Sequence, residues 1–249
     1  MKTLLFILPL LATQQIPRES PADSLRCGFC QRPKVAAAIL EGFLVNAVVN
    51  RMNVWILRDS LFEVTPSSWR SNLQRGWEFD QDDFMVNMLG HPYQGSMYFA
   101  AARDNGLGFW AGAPLTFFHS VVWEDFGETT RPSINDLVDT GLGGIALGEM
   151  FHRVAATIRN NEQGGGSRTL RELAALPFDP VGALNRLVRG QWSRKGPNPR
   201  EHNPVGTVVR VGGGIGRVRG PGAPTTTSSI LFADLKYGDS YTDSLRKPF

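Results

Sequence analysis

The stretch GLGGIALGEMFHRVAATI, residues 141–158, decides how this chain folds. Gly141, Gly144 and Gly148 recur every three or four residues, so on an α-helix they share one face. Because that face carries no side chains, the backbone of a second helix can approach it closely. We therefore predict a mainly α fold, in which a compact multi-helix domain is held together by glycine-mediated helix packing.

The expected partner of this glycine face is the apolar stretch Phe109–Trp123, through Gly112 and Ala113. This stretch carries no formal charge and is shorter than a bilayer span, which is typical of a buried core helix or of a helix at an interface. Residues 35–57, VAAAILEGFLVNAVVNRMNVWIL, are longer and apolar but are interrupted by two asparagines and an arginine. They predict a buried or membrane-contacting helix rather than an uninterrupted membrane span.

Proline and short polar residues indicate where other helices begin and end. Pro92 predicts a break after His91, because the residue before a proline is disfavoured in helical conformation. Ser133 and Asp179 each precede a helical pattern and are suited to cap it.

The character of the sequence changes toward the C-terminus. Residues 191–205 are rich in proline and polar residues, which is typical of a linker. GTVVRVGGGIGRVRG, residues 206–220, predicts a β-hairpin around a glycine turn, and SSILFADLKYGDSY, residues 228–241, alternates like a strand. We predict a helical domain over residues 35–190 and a short C-terminal β-hairpin and strand region over residues 206–249. The β region is expected to begin a longer barrel-like segment.

The N-terminus, MKTLLFILPLLATQQ, has a lysine before an apolar run and then polar residues. This order predicts a signal peptide over residues 1–15, followed by a linker over residues 16–34. The protein is therefore expected in the cell envelope, in the periplasm or at the outer membrane. Cys27 and Cys30 lie in that linker without two further zinc ligands nearby. We therefore expect either a disulfide between them or two free thiols with no chemical role.

The formal net charge is only +3, but it is unevenly distributed. Residues 79–150 contain ten acidic residues and two arginines, whereas residues 186–220 contain seven arginines and one lysine against one glutamate. The two regions can attract each other, or the basic region can face an anionic lipid surface. The basic region has one aromatic residue, Trp192, and no nucleic-acid motif, so a nucleic-acid partner is not expected.

Four acids and one arginine follow the apolar helix in WEDFGETTRPSINDL, residues 123–137. Glu124 and Glu128 are four residues apart and share a helical face if the helix continues to Gly127. Asp136 is the third residue after Ser133, an arrangement similar to a capping box. Since this segment lies between two apolar helices, we expect its carboxylates to be buried and to be paired with nearby cations.

Two roles fit these acids. As an ion-pair and cap cluster they would fix the position of one helix pair, whereas in a polar pocket a carboxylate could act as a general base or a carboxylate pair could bind an ion. The metal-ligating residue types lack a standard spacing, so neither a metal nor a cofactor is expected. The candidate catalytic residues are Glu124, Glu128, Asp136 and His91, the candidate binding residues are Tyr93, Arg103, Arg131 and Asn135, and the cations expected to pair with the acids are Arg131, Arg103, Arg153 and His91.

Several blocks in this order resemble a known bacterial family. LGHPYQGSMYFAAARDNGLGFW, VVWEDFGETTRPSINDLVDTGLGGIALGEMFHR and GALNRLVRG are similar to the signature blocks of the domain of unknown function 3943 family, and the resemblance covers about residues 53–192. FADLKYGDSYTDSLRKPF, residues 232–249, is similar to the β segment that follows in the family, where longer members continue into an outer-membrane barrel. The resemblance implies an envelope protein with a helical domain and assigns no activity.

Two function hypotheses follow. The first is a membrane-associated structural or lipid-contacting helical domain with a buried Glu/Arg/Asp cluster, whose partner is the outer membrane or another lipid surface. The second is an envelope hydrolase or transferase that acts on lipid or cell wall through a carboxylate acid or base.

Overall fold

A computed structural model describes residues 33–196, residue 198, residues 207–218 and residues 226–237. The described part of the chain contains eight α-helices followed by two β-strands. The helices are α1 Val35–Met52, α2 Pro66–Arg75, α3 His91–Asp104, α4 Phe109–Phe126, α5 Ile134–Val138, α6 Gly144–Ile158, α7 Gly165–Ala175 and α8 Pro180–Val188, and the strands are β1 Thr207–Val218 and β2 Thr226–Tyr237. The mainly α fold with a C-terminal β-hairpin is therefore confirmed. The predicted signal peptide, Cys27 and Cys30 lie outside the described residues.

Helix α3 is at the centre of the helical domain and contacts α1, α4, α6 and α8. Its most extensive contact is with α6, at the glycine face of α6. A Cβ atom added to Gly144 would lie 2.5 Å from the Cα atom of Gly95 in α3, a separation that real structures do not show. The prediction of glycine-mediated packing is therefore confirmed at this crossing.

The predicted partner of the glycine face is wrong for two of its three glycines. Gly144 and Gly148 face α3, and only Gly141 contacts α4, at the ring of Phe117. Gly112, which was expected to meet the glycine face, instead packs against α3. The reason is that α3 presents its own small residue, Gly95, at the crossing, so α3 can approach α6 more closely than α4 can.

The predicted helix break at Pro92 is also wrong. A five-residue π-helical turn, Val86–Gly90, leads directly into α3, and the backbone N–H of His91 donates to the carbonyl of Val86. Helical structure therefore continues from residue 84 to residue 104. The wider π turn leaves room for the proline ring, which an uninterrupted α-helix would not.

Two further π-helical turns extend other helices. The turn Asn53–Leu57 continues α1, and the turn Asp139–Gly143 joins α5 to α6.

The helix caps predicted at Ser133 and Asp179 are present in the structure. The side chain of Ser133 accepts from the backbone N–H of Asp136 at the start of α5, and Asp179 caps α8.

The two strands form an antiparallel pair, with Thr207 opposite Tyr237 and Val218 opposite Thr226. The glycine run at residues 212–214 lies inside β1, so the predicted glycine turn at this place is wrong. The ring of Phe232 on β2 occupies the space next to Gly212, which lacks a side chain. This arrangement covers a strand glycine with a cross-strand aromatic side chain.

The helical domain has a polar interior and an apolar exterior. Among the described residues, 22 polar or charged side chains are buried, against 14 apolar ones, of which eight are alanine. Large apolar side chains face outward instead, and Leu40, Trp55, Trp110, Leu142 and Leu170 are each more than half exposed. In water-soluble proteins, large apolar side chains are more often buried and charged side chains are mostly exposed.

Candidate functional site

The acids of the 123–137 segment meet a second acidic segment and the start of α3. We name this group the carboxylate cluster. Within it, hydrogen bonds and charge interactions connect Asp80, Asp82, His91, Glu124, Glu128, Asn135 and Asp136.

Backbone hydrogen bonds hold the two acidic segments side by side. The N–H of Glu78 donates to the carbonyl of Pro132 at 2.9 Å, and the N–H of Ile134 donates to the carbonyl of Glu78 at 2.8 Å. These bonds place the segment after Glu78 against the start of α5. Asp80 and Asp136 are therefore brought together although 55 residues separate Asp80 from Asn135, the side chain that bridges them.

Asn135 connects two carboxyl groups. Its Nδ2 donates to Asp80 Oδ1 at 2.6 Å and to Asp136 Oδ1 at 3.1 Å. Burial opposes ionisation of Asp80, but hydrogen bonds from Asp136, Asn135 and Ser133 outweigh it and lower the pKa of Asp80. Burial, the hydrogen bond to Asp80 and the charge of Asp80 raise the pKa of Asp136 to about 8. The two carboxyl groups thus share one proton at neutral pH.

Glu124 lies near the end of α4 and is buried, with an exposed fraction of 3%. Its Oε2 accepts from the backbone N–H of Ser133 at 2.8 Å, whereas its Oε1 has no hydrogen-bond partner among the described residues. Burial, followed by the charge of Glu128, raises the pKa of Glu124 to about 9. Without a bound cation, this carboxyl group is protonated at neutral pH.

His91 lies between Thr140 and Asp136. Its Nδ1 is 3.0 Å from Thr140 Oγ1, and its Nε2 is 3.5 Å from Asp136 Oδ2. Burial lowers the pKa of His91 to about 4, against the opposing effect of the charge of Asp80. The imidazole is therefore neutral at physiological pH, and one of its nitrogens points toward the carboxyl groups.

Glu128 is bound at both oxygens. Trp123 Nε1 donates to Oε1 at 2.5 Å, and Thr130 Oγ1 donates to Oε2 at 3.0 Å. Burial still raises the pKa of Glu128, because the charges of Asp82 and Asp80 act in the same direction. A proton-sharing carboxyl pair next to a neutral imidazole can donate and accept protons or hold a cation.

Two of the eight candidate residues lie away from this cluster, and a third lies on its rim. Tyr93 donates to the carbonyl of Pro177, and Arg103 lies at the other end of α3, 3.2 Å from Glu149. Arg131 pairs with Glu78 at 2.7 Å, on the rim of the cluster. The other five, Glu124, Glu128, Asp136, His91 and Asn135, come together in the structure.

The expected pairing of the buried acids with arginines is wrong, whereas His91, the fourth expected partner, lies 3.5 Å from Asp136. Arg131 binds Glu78, and Arg103 and Arg153 both bind Glu149. Among the described residues, no lysine or arginine forms a salt bridge with an acid of the carboxylate cluster. The raised pKa values of Glu124 and Asp136 keep these two buried carboxyl groups protonated at neutral pH, which reduces the cost of burying them without an arginine partner.

Asp80, Asp82 and Thr140 are not among the predicted site residues. In the sequence, Asp80 and Asp82 contribute only to the acidic charge balance, since nothing in their spacing shows that they lie next to Ser133 in the fold. Thr140 lies in a π-helical turn, which sequence patterns do not reveal.

A second buried polar group joins α6, α7 and α8, and we name it the arginine network. Arg159 Nη1 lies 2.5 Å from Asp179 Oδ2, and its Nε lies 3.3 Å from Glu172 Oε2. Arg186 Nε donates to Glu172 Oε1 at 3.0 Å. Arg186 belongs to the basic region of the sequence, so this region begins inside the helical domain and not on its surface.

Comparison with known protein families gives a match over part of the chain. Residues 76–181 match the model of the family described as Domain of unknown function (DUF3943). This segment runs from the end of α2 into the first turn of α8 and includes the whole carboxylate cluster. No curated protein and no solved structure matches the chain.

Proposed function

Because residues 76–181 match the DUF3943 family, whose description assigns no activity, we propose a function from the physical properties of the chain. The protein is a membrane-associated helical domain of the bacterial cell envelope, and its apolar outer surface contacts lipid. The observation that carries this proposal is the reversed polarity of the helices.

Helix α4 has this reversed polarity along its length. Thr116, Ser120 and Glu124 are buried on its inner face, whereas Trp110 and Phe118 are exposed on its outer face. In water the opposite arrangement is favoured, since burying apolar surface stabilises a fold by about 25 cal/mol per Å². In a lipid bilayer the outer apolar face contacts acyl chains, and polar groups are stable only where they face the interior of the helix bundle.

Helix α1 follows the same pattern. Asn46 and Asn50 are buried, and Asn50 Nδ2 donates to the carbonyls of Phe62 and Gly127 at 2.9 and 2.8 Å. The outer face of α1 is formed almost entirely by apolar side chains. Helix α1 and the π turn after it form one helical segment, Val35–Leu57. By length and composition, this is the one helical segment of the described residues that is long and apolar enough to cross a membrane.

The short helices α7 and α8 show the reversal most clearly. Arg168, Glu172 and Arg186 are buried, whereas Leu170 and Leu187 on the same helices are exposed. A leucine-covered face on two short amphipathic helices is suited to the boundary between lipid headgroups and acyl chains.

The distribution of exposed apolar side chains over several helices supports lipid as their partner. Monomeric soluble proteins rarely expose a contiguous apolar patch larger than about 600 Å². Here large apolar side chains are exposed on the outer faces of α1, α4, α6, α7 and α8. A single protein partner would cover one face, whereas a lipid phase can cover several.

The proposal is tested with a triple variant on the outer face of α1. Leu40→Lys, Leu44→Lys and Val48→Lys replace three exposed apolar side chains without touching the interior. Each lysine placed at the centre of a lipid-embedded helix costs about 2.5–3.5 kcal/mol, so the variant should leave the membrane fraction.

The matched control adds the same charge at exposed polar positions, with Ser67→Lys, Gln74→Lys and Gln81→Lys. Both variants are compared with the unmodified chain by flotation with phosphatidylethanolamine and phosphatidylglycerol vesicles, before and after a high-salt wash. We expect the unmodified chain and the control to remain with lipid in high salt, because apolar contacts are not screened. If the α1 variant floats as well as the control does, or if salt releases all three proteins, the proposal is refuted.

A further inference from the structure

Three side chains at the edge of the carboxylate cluster have the chemistry and the spacing of a metal site. Asp82, His91 and Asp136 each offer one ligand atom, and these atoms lie within 4.8 Å of one another. We propose that these three residues bind one divalent transition-metal ion, of the kind represented by Mn²⁺ and Zn²⁺. The ion would join three separate parts of the chain, namely the segment before α3, the start of α3 and the start of α5.

The distances require little rearrangement. Zinc binds imidazole nitrogen and carboxylate oxygen at about 2.0–2.2 Å, so two ligand atoms of one ion lie at most about 4.4 Å apart. His91 Nε2 and Asp136 Oδ2 are 3.5 Å apart and already satisfy this limit. Asp82 is exposed at the edge of the cluster, so its side chain is free to move the remaining few tenths of an ångström.

The charge around the site favours a cation. The cluster contains the carboxyl groups of Asp80, Asp82, Glu124, Glu128 and Asp136, and none of them forms a salt bridge with a lysine or arginine of the described residues. A cation placed among these carboxyl groups would therefore not compete with a lysine or arginine of the described residues for their oxygens.

An unpartnered buried oxygen points independently to a ligand. Glu124 is only 3% exposed, and its Oε1 has no hydrogen-bond partner among the described residues. Its Oε2 is held by the backbone N–H of Ser133, the residue that caps the helix carrying Asp136. The free oxygen therefore belongs to the same cluster, where a water molecule on the metal can donate to it.

The proposed ligands are already oriented by neighbouring groups. His91 Nδ1 is 3.0 Å from Thr140 Oγ1, which leaves Nε2 directed toward Asp136. Asn135 Nδ2 donates to the other oxygen of Asp136. Metal-binding histidines and carboxylates are usually held by such hydrogen bonds, which fix the ring orientation and the position of the coordinating oxygen.

The mixed ligand set distinguishes between metals. Imidazole nitrogen suits Zn²⁺ and other transition metals, and Mn²⁺ also accepts carboxylates and water. Mg²⁺ and Ca²⁺ prefer sites made of oxygen alone. The set of one histidine and two aspartates therefore predicts tighter binding of Mn²⁺ or Zn²⁺ than of Mg²⁺ or Ca²⁺.

A second group of metal-ligating residues serves as the comparison. Asp104, His152 and Asp179 also bring three ligand atoms within 4.8 Å of one another. Asp179 is already bound by Arg159 at 2.5 Å, so an arginine supplies the positive charge at this place. We therefore assign no metal to this second group.

The experiment uses the full chain purified without a histidine tag and stripped of metal with a chelator. MnCl₂ or ZnCl₂ is titrated by isothermal calorimetry, and MgCl₂ and CaCl₂ are titrated in parallel. We expect one equivalent of Mn²⁺ or Zn²⁺ to bind. Asp82→Asn should weaken the affinity by about tenfold or more, and His91→Gln should do the same.

Asp104→Asn is the matched control and should leave the affinity unchanged. Asp82 is exposed, so Asp82→Asn should fold normally, and circular dichroism checks this for each variant. The proposal is overturned if no metal binds, if Mg²⁺ or Ca²⁺ binds as tightly, or if Asp82→Asn binds like the unmodified chain. A loss of binding in Asp104→Asn but not in Asp82→Asn would move the site to the second group and overturn it equally.

Discussion

Replacing Gly144 with alanine tests the contact on which the helical domain is built. The added Cβ would lie 2.5 Å from Gly95 Cα and 2.6 Å from the carbonyl carbon of Gly95. Ordinary contacts begin near 3.4 Å, so α3 and α6 must separate by close to 1 Å. The clash is with backbone on both sides, and no side-chain rotation relieves it.

The cost follows from the extent of this crossing, which is the most extensive helix contact in the domain. A gap of 0.5–1 Å removes about a quarter to a half of the dispersion energy of each contact. Overpacking of this kind costs about 1–3 kcal/mol, and we place Gly144→Ala at the upper end because neither backbone can move aside. Alanine is favoured over glycine in a helix by about 1 kcal/mol, so the net loss of stability is about 2 kcal/mol.

Thermal unfolding followed by far-ultraviolet circular dichroism measures this loss, with detergent and protein concentration held constant. A destabilisation of about 2 kcal/mol lowers the Tm of a chain of this length by about 4–8 °C. Gly166→Ala is the matched control, since Gly166 also lies in a helix but a Cβ there would meet nothing within 4 Å. That control should be neutral or slightly stabilising. The reasoning fails if Gly144→Ala unfolds at or above the Tm of the unmodified chain.

Three further substitutions test the polar interior. Asn50→Ala leaves one buried and one partly buried carbonyl group without their donor and should cost about 1–3 kcal/mol in chemical denaturation, and an unchanged midpoint would contradict this. Arg159→Met leaves Asp179 and Glu172 buried without this cation and should cost about 3–5 kcal/mol, whereas a neutral result would show that the network is hydrated. Burial lowers the pKa of His119 to about 4, so between pH 6.5 and pH 4 His119 binds a proton in the unfolded chain but not in the folded chain. The unmodified chain should therefore lose about 3 kcal/mol between pH 6.5 and pH 4 relative to His119→Gln, and parallel stability curves for the two proteins would refute this.

The sequence was sufficient to predict the fold class, because local signals and the structure agree. The spacing of Gly144 and Gly148 marks one face of a helix in any context, and the caps at Ser133 and Asp179 depend only on residues next to them. The partner of the glycine face was not predictable in this way. It depends on Gly95, a single glycine in a segment whose own pattern gives no sign of close packing.

The carboxylate cluster was predicted in part for the same reason. Glu124, Asp136 and His91 are close in sequence to the turns that place them, whereas Asp80 reaches the site through backbone bonds between distant segments. The expected arginine partners were wrong because charge balance in the sequence does not show which acids remain protonated. Asp136 and Glu124 avoid the cost of burial by keeping a proton, and that depends on their surroundings and not on their spacing.

The π-helical turn Asp139–Gly143 fixes the number of residues between the acids of α5 and the glycines of α6. Each residue added to or removed from a helix rotates everything beyond it by about 100° about the axis. Deleting one residue from this turn would therefore swing the α6 glycines away from α3 while the Asp136 carboxyl group stayed in place. The length of this five-residue turn therefore sets the angle, about the helix axis, between the Asp136 carboxyl group and the glycine face of α6.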